Sequence, residues 1–446
     1  MIGQAVDADP ASRRRLRGVT EVAARVGWGF ADQAVSSLSN FLLGFVVARA
    51  VDTATFGAFS VAYMTYVVVL GITRGAVAQP LIVRYSGVDD ATWRSGSARA
   101  GGFAFVTGLV GGTVCLVIGL AIGGLVGPGL VALGITLPGL LVQDTWRYAL
   151  FAGERGRKAC LNDLLWLALQ LPALGLVLLA GRDVGYAALL AWGGAGTVAA
   201  LIGGRTVGVR LRPEASAGWL REHRTLIPRY VAEATSSLTS SQLALYGVGA
   251  VAGLGTLGEL RVGQLLIGPV LVIFIGMQLV AVPMAVRALH VSIARLRRLC
   301  LAIGSSMAII AVAWGGLLTL VPTELGRALL ATNWEPAHRI VLVLALGLAA
   351  SSFSSGALIG LRAFAAATRS LRATVVSSML TTVATILGAW LYGAAGAAWG
   401  IALAHSVMMP LWWWEFRRES ARRAVETADA GPVLEPSTGP TFDGSA

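Results

Sequence analysis

Two parts of this chain, about two hundred residues apart, answer each other inside apolar segments. Residues 30–38 read FADQAVSSL and residues 230–238 read YVAEATSSL. Residues 77–84 (VAQPLIVR) answer residues 280–287 (VAVPMAVR), and between these anchors Phe56-Gly57 stands where Leu257-Gly258 stands. A duplication of this length, carried in hydrophobic helices, is the usual build of a transporter whose halves rock about a site near the bilayer midplane. It restricts the chain to two similar bundles that face each other.

The medium is set by polarity. Of 446 residues, 56% are hydrophobic and 13% charged, about half the charged share of a soluble protein. Apolar runs recur from residue 28 to residue 416, each long enough to cross a core of ~30 Å. A transmembrane β-barrel needs alternating polarity in ~10-residue pieces, and none is seen. The expectation is an all-α integral membrane protein of twelve transmembrane helices in two pseudo-symmetric six-helix bundles around a central cavity. The spans fall at 27–50, 56–82, 99–124, 128–152, 160–180, 184–204, 228–251, 257–286, 299–321, 339–361, 371–393 and 395–416. The first run follows Arg13, Arg14, Arg15 and Arg17 and is too long for the apolar part of a cleavable signal peptide.

The net charge of +12 reflects topology and does not imply a nucleic-acid partner. With these spans, 28 of the 35 Lys and Arg residues fall on one side of the membrane. Only Arg182, Arg327 and Arg339 fall on the other. Such a split places both termini in the cytoplasm of a bacterial cell, the protein being multi-pass in its inner membrane. The domains follow: a basic N-tail (1–26), an N-terminal bundle (27–204), a cytoplasmic linker with a short amphipathic helix (205–227), a C-terminal bundle (228–416) and a disordered cytoplasmic tail (417–446). Trp412, Trp413 and Trp414 at the inner boundary read as an interfacial aromatic belt.

Ionisable residues inside spans are the candidate functional groups, because a charge at the bilayer centre costs ~2.5–3.5 kcal/mol or more. Asp32 shares a face of span 1 with Ser36 and Ser39 or Asn40, and Glu233 opens the equivalent helix of the second half, one position out of register. Each reads either as an ion-coupling carboxylate, for H⁺ or Na⁺, or as an acid paired with a nearby arginine. Arg74 lies deep in span 2 with no acid within a turn, which suits an anion in the cavity. Arg147 lies one turn from Asp144 and Gln143, and an i,i+3 pair with Asp144 is expected to neutralise it, with Asp163 a further partner. Arg49 and Arg261 sit near the outer ends of spans 1 and 8 as interface anchors. Gln264 and Gln278 share a face of span 8 with Arg261, a second candidate cavity wall. His405 reads as a satisfied interior histidine, and Cys115, Cys160 and Cys300 as small buried hydrophobes.

No metal-ligand spacing, Walker motif or extramembrane acid pair occurs, so the chain reads as a non-enzyme without a cofactor. A membrane glycosyltransferase or polymerase would need a larger external loop than residues 322–338.

The run ADQAVSSLSNFLLGFVVARAVDTATFGAFSVAY (31–63), with RGAVAQPLIVR (74–84), QDTWRYALFAGERGRKACLNDLLW (143–166) and GALIGLRAF (356–364), resembles polysaccharide-biosynthesis exporters. These include the O-antigen flippases and belong to the multidrug/oligosaccharidyl-lipid/polysaccharide (MOP) exporter superfamily. The resemblance implies alternating access and movement of a polyprenyl-pyrophosphate-linked glycan, supplied by glycosyltransferases or a polymerase of the same pathway. By position it implies a pyrophosphate-binding role for Arg74, and more weakly for Arg147, Arg49 and Arg261. Relatives that export drugs couple transport to ions through an acid on span 1, which falls on Asp32. Lipid II flippases carry two further C-terminal spans beyond the twelve expected here. The alternative function is a cation-coupled multidrug or small-molecule exporter of the same fold.

Overall fold

The computed structural model of the chain describes residues 10–181 and 183–429, and all regular structure in it is helical. Ten stretches among the described residues are long and apolar enough to cross a membrane. In the first half these lie in α1 (Pro10–Ala50), α2 (Thr53–Thr73) with its continuation α3 (Gln79–Tyr85), α4 (Asp90–Ile122), α5 (Gly127–Ala152), α6 (Gly156–Ala180) and α7 (Val184–Val207). Between α2 and α3, Arg74–Ala78 form a π-helical turn. A short linker helix, α8 (Ser216–Glu222), leads to the second half: α9 (Ile227–Val291), α10 (Ile293–Thr319), α11 (Thr323–Leu330), α12 (Trp334–Ala363) and α13 (Ala367–Asp429).

Two of these runs double back. In α9, Gly253 has φ 86° and ψ 168°, and the side chain of Leu257 lies against Gly249. In α13, Gly393 has φ 60°, and Gly388 and Gly396 face each other across the bend. A positive φ is open to glycine because it has no Cβ to collide with the backbone. Each run therefore supplies two antiparallel arms. Successive helices alternate in direction, so the turns at 51–52, 123–126, 253, 320–333 and 392–393 share one face, here called the far face, opposite the termini.

The two halves meet at the far face without side chains between them. A Cβ on Gly57 would lie 1.9 Å from the carbonyl oxygen of Leu254, and one on Gly258 would lie 1.8 Å from that of Thr53. Leu254 precedes Gly258 by one turn, as Thr53 precedes Gly57, so the contact is reciprocal about a local two-fold axis. The halves also exchange caps. Asn333, fully buried beyond α11, donates through Nδ2 to the carbonyls of Ala48 and Val51 at the end of α1, both at 2.6 Å. Arg49 of α1 in return donates to the carbonyl of Ala328 at the end of α11. Each side chain satisfies carbonyls that a helix C-terminus leaves without partners.

Two expectations are corrected. The tail expected to be disordered from residue 417 is helical through Asp429. Glu419, 1% exposed, pairs with Arg369 at 3.0 Å, Arg422 at 2.6 Å and Arg423 at 3.3 Å. These i,i+3 and i,i+4 partners hold the helix beyond the bundle, whereas the Pro- and Gly-rich composition that suggested disorder begins after residue 430, outside the described residues. In the tryptophan triplet, Trp412 and Trp413 pack into the core and Trp414 alone is exposed, with the Arg418 guanidinium over its ring. Three consecutive residues span about 200° of a helix, so they cannot all face the interface.

Replacing Gly258 by valine puts branched carbon inside the Thr53 carbonyl and is expected to force the far face apart. Spin labels at residues 52 and 329 should report a longer distance in Gly258→Val than in the parent; an unchanged distance would show that the contact does not close this face.

Candidate functional site

The buried charges of the first half neutralise one another. Arg147 on α5 donates from Nε to Asp32 of α1 at 2.5 Å and from Nη2 to Gln33 at 3.2 Å, and its Nε lies 3.5 Å from Asp163 of α6. Gln143 donates to the other Asp163 oxygen at 2.7 Å. Asp32 is fully buried and its Oδ1 has no hydrogen-bond partner. One turn back on α5, Asp144 accepts from Arg74, with Nη2 at 2.6 Å and Nε at 3.0 Å, a bidentate clasp. The Arg74 guanidinium also stands over the Tyr148 ring at 5.5 Å. The π-helical turn opening at Arg74 widens the helix here, and the indole of Trp219 in the linker helix donates to the Ala76 carbonyl within it. Such turns recur at functional positions.

This arrangement overturns two sequence expectations. Asp144 does not neutralise Arg147, its neighbour at i,i+3, but Arg74, seventy residues away. Arg74, expected to be a free guanidinium facing the cavity, is already paired. The cause is the packing of α5, whose residues turn to different neighbours, Asp144 to the π-helical turn after α2 and Arg147 to α1.

A central cavity of about 890 Å³ opens between the halves. Its wall is formed by Ser37, Asn40 and Phe41 of α1, Phe59 and Tyr63 of α2, Arg261, Gln264 and Leu265 of α9, Ser351 of α12 and His405 of α13, among other apolar residues. No carboxylate lines it among the described residues. Arg261 is the one permanent charge among its described lining residues. Its Nη1 donates to Gln264 Oε1 at 3.2 Å, while Nε is buried without a partner and no acid pairs with the guanidinium among the described residues. Asn40 Oδ1 and His405 Nδ1 are likewise buried without hydrogen bonds. His405, expected to be satisfied, is so on one side only: it hydrogen-bonds the Gly347 backbone and leaves Nδ1 without a partner.

The candidates thus separate. Arg261 and Gln264 reach the cavity; Asp32, Asp144, Arg74 and Arg147 form the first-half network; Arg49 belongs to the far-face cap exchange. The side chains of Glu233 and Gln278 lie outside the described residues. The three cysteines are buried and free. Sequence reasoning ranked Arg261 below Arg74, although the available signal was the same for both: no acid three or four positions away.

This arrangement of helices is found among solved transporters. An inward-facing multidrug resistance MATE family transporter of the MOP superfamily is similar over 87% of this chain and 96% of its own, with TM-score 0.71 and 13% identity. The lipid II flippase MurJ, in an inward closed conformation, is similar over 92% and 94%, with TM-score 0.64 and 10% identity. The chain has the fold of the MOP-superfamily transporters. An outward-facing MATE transporter of the same superfamily is similar at TM-score 0.54 and 13% identity, over 88% of this chain and 94% of its own. The sequence matches no protein-family model and no curated protein. These solved neighbours are transporters and a flippase, not enzymes, and the apolar helices of this chain agree with a multi-pass membrane protein.

Arg147→Met removes the counter-charge of two buried carboxylates and is expected to destabilise the first half by about 3–5 kcal/mol. Asp32→Asn should cost less, because Arg147 keeps Asp163 at 3.5 Å. Thermal unfolding of the purified variants in detergent checks that order; a larger loss in Asp32→Asn would show that Asp163 does not hold Arg147.

Proposed function

We propose that this chain moves a polyprenyl-pyrophosphate-linked oligosaccharide from the inner to the outer leaflet of the bacterial cytoplasmic membrane by alternating access, in cell-surface polysaccharide biosynthesis. The carrying observation is Arg261, a guanidinium without an acid partner in a cavity whose described wall bears no carboxylate. A cation held at membrane depth needs a counter-charge, and a pyrophosphate supplies it with oxygens that match the guanidinium fork. The remaining wall is apolar and aromatic with scattered amides and hydroxyls, which suits a prenyl chain beside sugar hydroxyls.

The pyrophosphate contact is therefore assigned to Arg261, with Gln264 beside it. Arg74 and Arg147 act in this reading by holding the first half together. The bends at Gly253 and Gly393 support twelve spans in two bundles, and the arginine bias supports cytoplasmic termini. The closed far face then corresponds to an inward-facing state.

A second reading, a cation-coupled multidrug or small-molecule exporter, is favoured by the first-half network. Asp32, Asp144 and Asp163 outnumber Arg74 and Arg147 there, so one carboxylate lacks a counter-charge and is available to H⁺ or Na⁺. That network explains coupling and leaves the substrate open. A cationic drug in the cavity would meet Arg261 and no acid, so the flippase is the reading adopted.

In proteoliposomes carrying a fluorescent polyprenyl-pyrophosphate oligosaccharide, Arg261→Gln is expected to slow leaflet exchange about tenfold or more, the loss of one charged hydrogen-bonding pair, and Arg261→Lys to recover part of it. Full exchange by Arg261→Gln, folded to the parent's melting temperature, would remove the assignment. Drug efflux driven by ΔpH without glycan-lipid exchange would establish the second reading instead.

A further inference from the structure

A second large hollow shares no lining residue with the central cavity. It is a groove of about 820 Å³ between α4, α5 and α7. Leu109, Ile135 and Leu201 line it and are 46%, 60% and 65% exposed, so it opens on the outer flank of the first bundle, where the surface of a membrane protein meets acyl chains. Its lining includes Pro138 within α5, Gly139, against which the Thr197 side chain of α7 packs, and Gly204.

At the terminal face the groove changes character. Arg205, in the last turn of α7, and Arg210, just beyond the helix, both line it and are both exposed. Neither forms an ion pair among the described residues, and two acids of the same face are committed to other arginines. Asp90 is held by Arg94 and Arg155, and Glu222 by Arg99. One end of the hollow is thus cationic and the rest apolar, the complement of a lipid with a negative headgroup.

We propose that this groove is a binding site for an anionic phospholipid of the leaflet at the terminal face, one acyl chain lying between α4, α5 and α7 and the headgroup phosphate on Arg205 and Arg210. Guanidinium pairs bind phosphate oxygens through several donors at once, and each basic residue near a membrane surface adds about 1 kcal/mol of attraction to anionic lipid. The site is separate from the central cavity, and its occupant touches both α7 and residues 208–211 that follow it.

Native mass spectrometry of the full chain, taken from nanodiscs of equal phosphatidylglycerol and phosphatidylcholine, tests this. The parent is expected to keep one copy of phosphatidylglycerol, with a preference of about tenfold or more for it over phosphatidylcholine. The Arg205→Gln/Arg210→Gln double variant should lose that preference, and Leu201→Trp, which fills the groove from its exposed wall, should lose the bound copy. A parent without headgroup preference, a preference that persists in the double variant, or a retained copy in Leu201→Trp would overturn the site. Displacement of the retained lipid by polyprenyl pyrophosphate would also overturn it, since the groove would then belong to the transported substrate.

Discussion

The approach of Gly57 to the chain at Leu254, and of Gly258 to the chain at Thr53, is the constraint from which the rest of the molecule follows. With no side chain between them, α2 and the second arm of α9 are fixed backbone against backbone at the far face. The halves approach again toward the terminal face, where a Cβ on Gly75 would lie 2.8 Å from the carbonyl oxygen of Tyr230, and the central cavity lies between the halves. The exchanged caps at Arg49 and Asn333 add hydrogen bonds that exist only while the far face is closed. Closure at that face rests on this contact and on the caps exchanged beside it.

Against that geometry, the charges divide by role. The first half confines five ionisable groups within itself, where Arg74 and Arg147 each hold a carboxylate on a different helix. Such pairs tie α1, α2, α5 and α6 together, although burying them contributes little net stability. Arg261 receives no such treatment. It lines the cavity with Tyr63 and Asn40 and has one amide for company.

Much of this was legible in the sequence. Apolar run length gave the helical membrane class, and the repeat placed Phe56-Gly57 opposite Leu257-Gly258 before any contact was known. The linker helix was visible in its polar, basic composition. The pairing of charges was not legible, because counting positions along one helix sees partners at i±3 and i±4 and nothing else. Asp144 and Arg147 are close in sequence yet turn to different neighbours, and Arg74 finds its acid seventy residues on. Composition likewise misplaced the start of the tail, since the Arg–Glu ladder around Glu419 prolongs the helix before the Pro- and Gly-rich residues begin.

The duplication preserves backbone contacts and abandons chemistry. The offset that carries Gly57 onto Gly258 carries Ser60 onto Arg261. Ser60 is fully buried and returns its hydroxyl to the Phe56 carbonyl of its own helix, while Arg261 lines the cavity. A glycine contact between two halves can hold only if both glycines are kept, which ties the repeats together at that point. One turn away no such reciprocity applies, and a charge on one side needs no copy on the other. A symmetric pair of arginines there would repel across the cavity. A single one concentrates positive charge on one wall of the cavity and leaves the facing wall uncharged among the described residues.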